Sequence, residues 1–348
     1  MDQAIKELYI ARIISGLFRC HIDGKTYLIK NPDRYIRYIA QEIYIEALRD
    51  AELEGLYNEE ELNNFLYENN IWSDEKEKNL KTLIEDIDEL KVKLYQAAFK
   101  SEERKALRKL LNAAKLKYGE LNNLKTSYNY LSCHSTASMM KVRYILGKTL
   151  TYEDGEKVWR NDDFWKNTDP LLEDIINQYI ENKISDNEFR EIARTDPWRS
   201  TWSCKKSEKE VFGVSTVDLT EEQKSIVIWS SIYDTIYEHP NCPQQEIIDD
   251  DDLIDGWLII QRRERNKNQT KLQVDDLISN DKIKNSKEVF VIGQSKQDRE
   301  RIESLNDDYA KNVKRQRLNL INKRGSVDEA EMPDTKLDLQ MQANKSRG

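Results

Sequence analysis

The sequence has 348 residues, of which 34% are charged and 38% hydrophobic, and its formal net charge is −9. The length suggests about two domains. The charged fraction exceeds the roughly 25% of ordinary globular domains, so we expect a core together with extended segments. The acidic balance excludes nucleic-acid binding by overall charge. The sequence also contains no run of about 18 apolar residues, which a membrane-spanning helix would need.

Residues 1–72 are predicted to form an N-terminal helical segment with a small β-hairpin. Alternating apolar residues over 18–29 flank an Asp-Gly pair, which is typical of a two-residue hairpin turn. After it, Asn31 and Pro32 have the residue types of a helix cap and a first helical position. Because an isolated hairpin is only marginally stable, we expect it to rest on the neighbouring helices.

Residues 73–131 are predicted to fold as a long antiparallel helical hairpin that is similar to a coiled coil. Both arms carry apolar residues in alternating steps of three and four. Ser101 is placed to cap the second arm, and Lys117 interrupts its seam. The predicted seam consists of Leu80, Leu83, Ile87, Leu90, Leu94 and Ala97 in the first arm, and of Leu107, Leu110, Ala114, Leu121, Leu124, Tyr128 and Leu131 in the second.

Residues 132–261 are predicted to form a helical, Trp-rich segment that packs with the N-terminal part. A helix over 139–146 is expected to end at Gly147. Residues 196–202 are dense in aromatics and unlike a helix interior. Three helix starts carry a capping pattern, in which a small polar residue is followed three positions later by Glu or Gln. The three pairs are Asn58 with Glu61, Ser185 with Glu188, and Thr220 with Gln223.

Two features of this segment form the predicted partner-binding surface. One is aromatic and basic, and aromatic and Arg side chains are enriched where proteins meet. The other is an acidic run that suits a basic surface, such as the chain's own basic tail segment. The alternative for the aromatic residues is a place in the core, because Trp is mostly buried on average. The predicted set is Trp198, Arg199, Trp202, Asp249, Asp250, Asp251, Asp252 and Asp255.

Residues 262–348 are predicted to be a charged and largely disordered tail, because few apolar side chains are available to offset the ordering entropy. Within it, residues 311–324 carry six basic residues and no acidic one. A nucleic-acid-binding or regulatory module that uses this segment is a further alternative for the function.

The residues give little indication of metal binding or catalysis. Each of the three histidines has a cysteine close by, but adjacent pairs point in different directions and no Cys-x-x-Cys knuckle is present. The acidic run is contiguous, whereas loops that bind hard cations alternate their ligands. We therefore predict no cofactor, no metal and no enzymatic activity. Four scattered cysteines and no recognisable secretory leader indicate a reducing, cytoplasmic compartment.

Four stretches, at residues 54–61, 228–234, 238–243 and 250–257, resemble uncharacterised tail-morphogenesis proteins of tailed bacteriophages. This resemblance implies a tail assembly chaperone that binds another tail protein such as the tape measure. The alternative that it implies is a structural component of the virion, in the tail, neck or baseplate. Either role places the protein in the host cytoplasm or the virion and implies other phage structural or tail proteins as partners. It implies no membrane association, and it is compatible with an oligomer.

The patterns together predict a mainly α protein. We expect a helical body with a long antiparallel helical hairpin, one or two small β-hairpins, and the charged C-terminal tail.

Overall fold

The computed structural model describes residues 1–159, 161, 164–166, 169–206, 211–278, 311, 315, 318 and 319. Over these residues the protein is mainly helical, with twelve α-helices and one antiparallel sheet of three strands. The mainly α class, the helical hairpin and the small β-hairpin are thereby confirmed. By its internal contacts the chain separates into a first unit, Met1–Leu258, and a second unit, Ile259–Gly348.

The elements of the chain run in the following order. They are α1 (Gln3–Ser15), β1 (Phe18–Ile22), β2 (Lys25–Ile29), α2 (Arg34–Leu53), α3 (Glu59–Glu68), α4 (Asp74–Gln96), α5 (Ser101–Thr126), α6 (Cys133–Thr149), β3 (Leu150–Tyr152), α7 (Pro170–Glu181), α8 (Asp186–Arg194), α9 (Trp198–Lys205), α10 (Glu221–Tyr237), α11 (Gln245–Ile248) and α12 (Asp251–Ile278). None of the helices in the described part of the chain is both long and apolar enough to cross a membrane.

The β-hairpin forms where the alternating residues predicted it, and a third strand that was not predicted extends it to a sheet. Strands β1 and β2 pair with Phe18 opposite Ile29, and β3 pairs antiparallel with β2 on its other side. The turn between β1 and β2 holds Asp23 at φ 50° and Gly24 at φ 73°, which suits the Asp-Gly sequence. The sheet does rest on helices, because Phe18 packs in one cluster with Leu146 of α6 and Leu172 of α7.

The helix caps are partly as predicted. The three capping boxes, which begin α3, α8 and α10, are confirmed. The prediction for α2 was wrong: Asp33, not Asn31, accepts a hydrogen bond from the amide of Ile36, 2.7 Å away. Ser101 lies inside α5, and its hydroxyl caps nothing there, since the preceding Lys100 occupies the cap position.

Helices α4 and α5 form the predicted hairpin. The seam of α4 is as predicted. In α5 the predicted Leu107, Ala114, Leu121 and Leu124 are partly buried, but Leu111 takes the place of Leu110, and the helix ends at Thr126, before Tyr128 and Leu131. Leu111 is fully buried against Leu94 and Ala98, whereas Leu110 is 57% exposed. The seam continues through Ala114, Tyr118 and Leu121, so Lys117 lies outside it and interrupts nothing.

Three further boundaries differ from the predictions. Helix α6 begins at Cys133, where Ser132 caps it, and it runs through Gly147 to Thr149. Gly147 therefore lies within the helix and does not end it; its missing Cβ leaves room for the ring of Phe164. Residues 198–202 are helical, as the first turns of α9.

Helix α12 passes through residue 261, where the tail was predicted to begin. Residues 262–278 contain neither Gly nor Pro and many good helix formers, which accounts for the continuation. The remainder of the predicted tail, and most of the basic segment 311–324, lies outside the described residues; residues 311, 315, 318 and 319 are helical.

Candidate interaction site and its ionic clasp

Helix α9 carries the aromatic part of the predicted partner-binding set. Trp198 and Trp202 are only 1% and 5% exposed, and their ring centroids lie 6.5 Å apart. The indole Nε1 of Trp198 donates a hydrogen bond to Ser230 Oγ of α10 at 2.9 Å. Both rings share a core cluster with Trp257 of α12. The core interpretation is confirmed for these tryptophans, and they form no exposed patch.

The third member of that group, Arg199, joins α9 to α10 through Asp234. Trp202 Nε1 donates to Asp234 Oδ2 at 2.7 Å, and Arg199 Nη2 lies 2.6 Å from Oδ1. Burial alone would raise the pKa of Asp234, but the hydrogen bond from Trp202 and the charge of Arg199 outweigh it and lower that pKa. The guanidinium of Arg199 also stacks over the ring of Tyr237, 4.9 Å from its centroid.

The acidic run begins α12. Asp250 Oδ1 accepts hydrogen bonds from the amides of Asp252 and Leu253 at 3.2 and 3.3 Å, so this carboxylate covers the free N–H groups of the first turn. Asp249, one residue earlier, is exposed and accepts a hydrogen bond from Gln245 Nε2 at 2.8 Å. The remaining acids of the run face basic side chains.

Three acidic residues at the start of α12, namely Asp250, Asp252 and Asp255, pair with the helical hairpin. Arg108 of α5 pairs with Asp250, and Lys115, two turns further along α5, lies 2.6 Å from Asp252. Lys91 of α4 lies 2.8 Å from Asp255. The start of α12 therefore spans both arms of the hairpin, with Ile247 and Leu253 packed against Leu94 and Leu111 beneath the charges.

Two of the acids pair with α8, on the other side. Arg190 Nη2 donates to Asp255 Oδ1 at 2.7 Å, and Arg194 Nη1 donates to Asp251 Oδ1 at 2.5 Å. These arginines lie four residues apart, which places both on one face of α8. Arg190 also lies over the ring of Trp229, 4.7 Å from its centroid.

We call this group the ionic clasp: Asp250, Asp251, Asp252 and Asp255 with Lys91, Arg108, Lys115, Arg190 and Arg194. Asp255 joins its two sides, because it pairs with Arg190 of α8 and with Lys91 of α4, whereas Asp251 pairs with Arg190 and Arg194 of α8. Burial raises the pKa of Asp255, but hydrogen bonds from Arg190 and Lys91 outweigh it and lower the pKa. The same contact raises the pKa of Arg190 against its burial.

The backbones of α12 and α4 also lie very close together at the clasp. A Cβ built on Gly256 would lie 2.2 Å from the carbonyl oxygen of Lys91 and 2.9 Å from Tyr95 Cβ. Only glycine allows α12 to approach α4 at this distance. The arrangement therefore has the features of a fixed joint between the hairpin, α8 and α12.

The chemistry of the clasp is that of paired charges. Among the described residues, no group of three or more His, Cys, Asp or Glu side chains is arranged to hold a metal ion. His134 Nδ1 lies 3.1 Å from the hydroxyl of Tyr44, and Cys133 Sγ lies 3.0 Å from the carbonyl oxygen of Leu56. The acids are already matched by basic side chains of the chain itself, so their binding to a partner stays a prediction.

The basic half of the clasp was missed in the sequence. Its five residues come from three helices, and Arg108 lies 142 positions before Asp250. The spacing of Arg190 and Arg194 on one helix face was the one available signal. Comparisons with known protein families, with curated proteins and with solved structures found no match to this chain.

The solvent side of the hairpin has an apolar stripe that the clasp does not cover. We define the hairpin stripe as Ala106, Leu110, Ala113 and Leu116, four exposed residues of α5 at steps of three and four. Phe99, at the tip between the two arms, is 73% exposed. Exposed apolar side chains in a row mark interaction sites more often than single ones do.

Proposed function

We propose that this protein acts without catalysis in bacteriophage tail assembly, as a chaperone-like protein that binds another tail protein through its helical hairpin. The observation that supports this proposal is the hairpin stripe, an exposed apolar row on an element that the ionic clasp holds against the body. A preorganised surface loses little entropy on binding, which favours this hairpin as a docking element.

The partner that fits best is an amphipathic helix, as expected of a tape measure protein. A helix that lays its apolar face on a groove or stripe is a recurring mode of recognition. Lys109 and Lys117 are exposed on the same face of α5 as the hairpin stripe, so acidic residues on the partner helix would be complementary in charge.

The proposal is tested by affinity purification of the tagged full-length chain from infected cells. We expect tail proteins to co-purify with the wild type and to be lost with a Leu110→Asp, Leu116→Asp double variant. Ile180→Asp is the matched control, because Ile180 on α7 is 56% exposed and lies outside the hairpin. If no tail protein accompanies the wild type, or if both variants behave alike, the proposal is wrong.

The second candidate, a structural component of the virion, uses the same surface but buries it permanently. Mass spectrometry of purified particles beside the infected-cell lysate separates the two roles. A chaperone-like protein is expected in the lysate alone, in the host cytoplasm, whereas stoichiometric amounts in particles favour the structural role.

A further inference from the structure

Helix α2 has two faces, and the outer one is not used within the first unit. Ala40 and Ile43 pack against Tyr144 of α6 in a buried cluster. On the opposite side, six exposed residues follow one another at steps of three and four, as in a coiled-coil seam. We call them the α2 stripe; they are Tyr35, Tyr38, Glu42, Ile45, Arg49 and Leu53.

The exposure of the α2 stripe is large for apolar side chains. Tyr38 is 61% exposed and Leu53 is 87% exposed. Neither Arg49 nor Glu42 forms an ion pair with a residue that the structure describes, and Glu42 accepts a hydrogen bond from the hydroxyl of Tyr38 on the same stripe. The stripe therefore combines apolar groups with two opposite charges that have no ionic partner among the described residues, at the spacing that a partner helix would match.

The order of residues in the α2 stripe is complementary to itself in the antiparallel sense. If two copies cross at a two-fold axis between positions 45 and 46, Glu42 of one copy lies opposite Arg49 of the other. The same operation places Tyr38 opposite Leu53 and brings Ile45 to the centre. A parallel, in-register pair would instead set Glu42 against Glu42 and Arg49 against Arg49, which is repulsive.

We propose that the α2 stripe is a homodimer surface, on which two copies of this chain pair through antiparallel α2 helices. Glu42 and Arg49 form two symmetric ion pairs, and such charges at seam positions fix register and orientation. An open cleft of about 520 Å³ that Tyr35 lines together with Pro32 and Val214 extends the surface at its N-terminal end. This proposal does not depend on the proposed function, which uses the hairpin stripe.

The expected affinity is moderate. A helix of 20 residues is about 30 Å long, and one such helix from each copy buries less than the standard interface of about 1,600 Å². We therefore expect a dissociation constant in the micromolar range, so that dimers are detected before the protein concentration reaches about 300 μM.

Sedimentation of the full-length chain over a concentration series tests the proposal. We expect Glu42→Arg and Arg49→Glu each to weaken dimerisation at least about tenfold, because each sets like charges opposite one another. The double variant E42R/R49E should restore the wild-type constant to within about threefold, since the two pairs re-form with their signs exchanged.

The charge-swapped pair keeps the proposal independent of folding effects, because Glu42 and Arg49 are both exposed. Leu53→Asp should also abolish the dimer while the helical circular dichroism stays unchanged. A wild type that remains monomeric up to about 300 μM overturns the proposal. So does a double variant that stays as weak as the single ones, and so does a single variant that dimerises like the wild type.

Discussion

Single residues decide how closely the helices of this protein approach. Gly256 is the sharpest case, since its Cα faces the backbone of Lys91, which is not free to swing away. A side chain there must push α12 off α4 and stretch the ion pairs around Asp255. Packing and electrostatics at the clasp are therefore coupled through one glycine.

We predict that Gly256→Ala destabilises the protein by about 2 kcal/mol or more, because the added methyl group overlaps a backbone carbonyl. Gly119→Ala is the matched control: it is also a helical glycine, nothing lies within 4 Å of the added Cβ, and it should stabilise by up to about 1 kcal/mol. Urea denaturation measures both. Equal effects of the two substitutions would contradict the close approach.

Asp255 links stability to pH. Its folded pKa lies below the ordinary value of 3.8, so the folded state binds its proton only at lower pH than the unfolded chain does. The carboxylate therefore contributes its full stabilisation above about pH 4, and this is lost as the pH falls through the folded pKa.

We predict that Asp255→Asn lowers the free energy of unfolding at pH 7 by about 2–4 kcal/mol, because it removes the nearer of the two carboxylates that pair with the buried Arg190. The difference between variant and wild type should shrink as the pH falls below about 4. Denaturation curves from pH 7 to pH 3 measure it, with exposed Asp249→Asn as the control. A difference that is the same at every pH argues against the ionic role.

At the scale of elements, the helical hairpin shows how far the spacing of apolar residues predicts which side chains are buried between the two arms. The seam of α4 follows from its spacing alone. In α5 the neighbours Leu110 and Leu111 are both apolar, so periodicity cannot choose between them. The choice comes from Leu94, Ala98 and Leu253, which surround Leu111 in three dimensions. With Leu111 and Tyr118 in the seam, Lys117 lies outside it and no longer interrupts it.

We predict that Leu111→Ala destabilises the protein by about 2–5 kcal/mol, as expected for a large side chain removed from a filled core. Leu110→Ala, one position away, should change stability by less than about 0.5 kcal/mol, because its side chain is mostly in water. Thermal or chemical denaturation of the two variants measures both losses of stability and shows which of the two leucines lies in the seam. The order of the two effects would reverse if the seam predicted from the sequence were the real one.

At the scale of the molecule, the sequence predicted the class, the helical hairpin, the β-hairpin and most helix starts, because these depend on local spacing and on caps, but not the addition of β3 to β2 across more than 100 residues. It could not predict the clasp. Four consecutive acids suit a solvated loop or a dock for the basic tail better than a cation site, whose ligands alternate along the chain, but they do not indicate which basic side chains they contact. Their actual partners are brought together by the packing of four helices, over separations such as the 164 positions between Lys91 and Asp255.

The same packing implies that the hairpin is held at two places by different contacts. Near its tip, the clasp joins Arg108 and Lys115 to α12. At its base, Glu77 accepts hydrogen bonds from Trp72 at 3.1 Å and from Lys125 at 2.7 Å, and the bond from Lys125 is the largest cause that lowers its pKa. Leu80 packs there with Trp72 and Leu66.

We therefore predict that the two attachments open independently. Asp250→Asn with Asp252→Asn should increase hydrogen exchange in the tip, around residues 97–112, and leave residues 72–82 protected. Glu77→Gln should have the converse effect, because it removes the ion pair to Lys125 at the base. Local openings of this kind expose separate cooperative regions below the free energy of global unfolding. If either variant accelerates exchange equally along both arms, the hairpin opens as one unit, and the base and the clasp share a single joint.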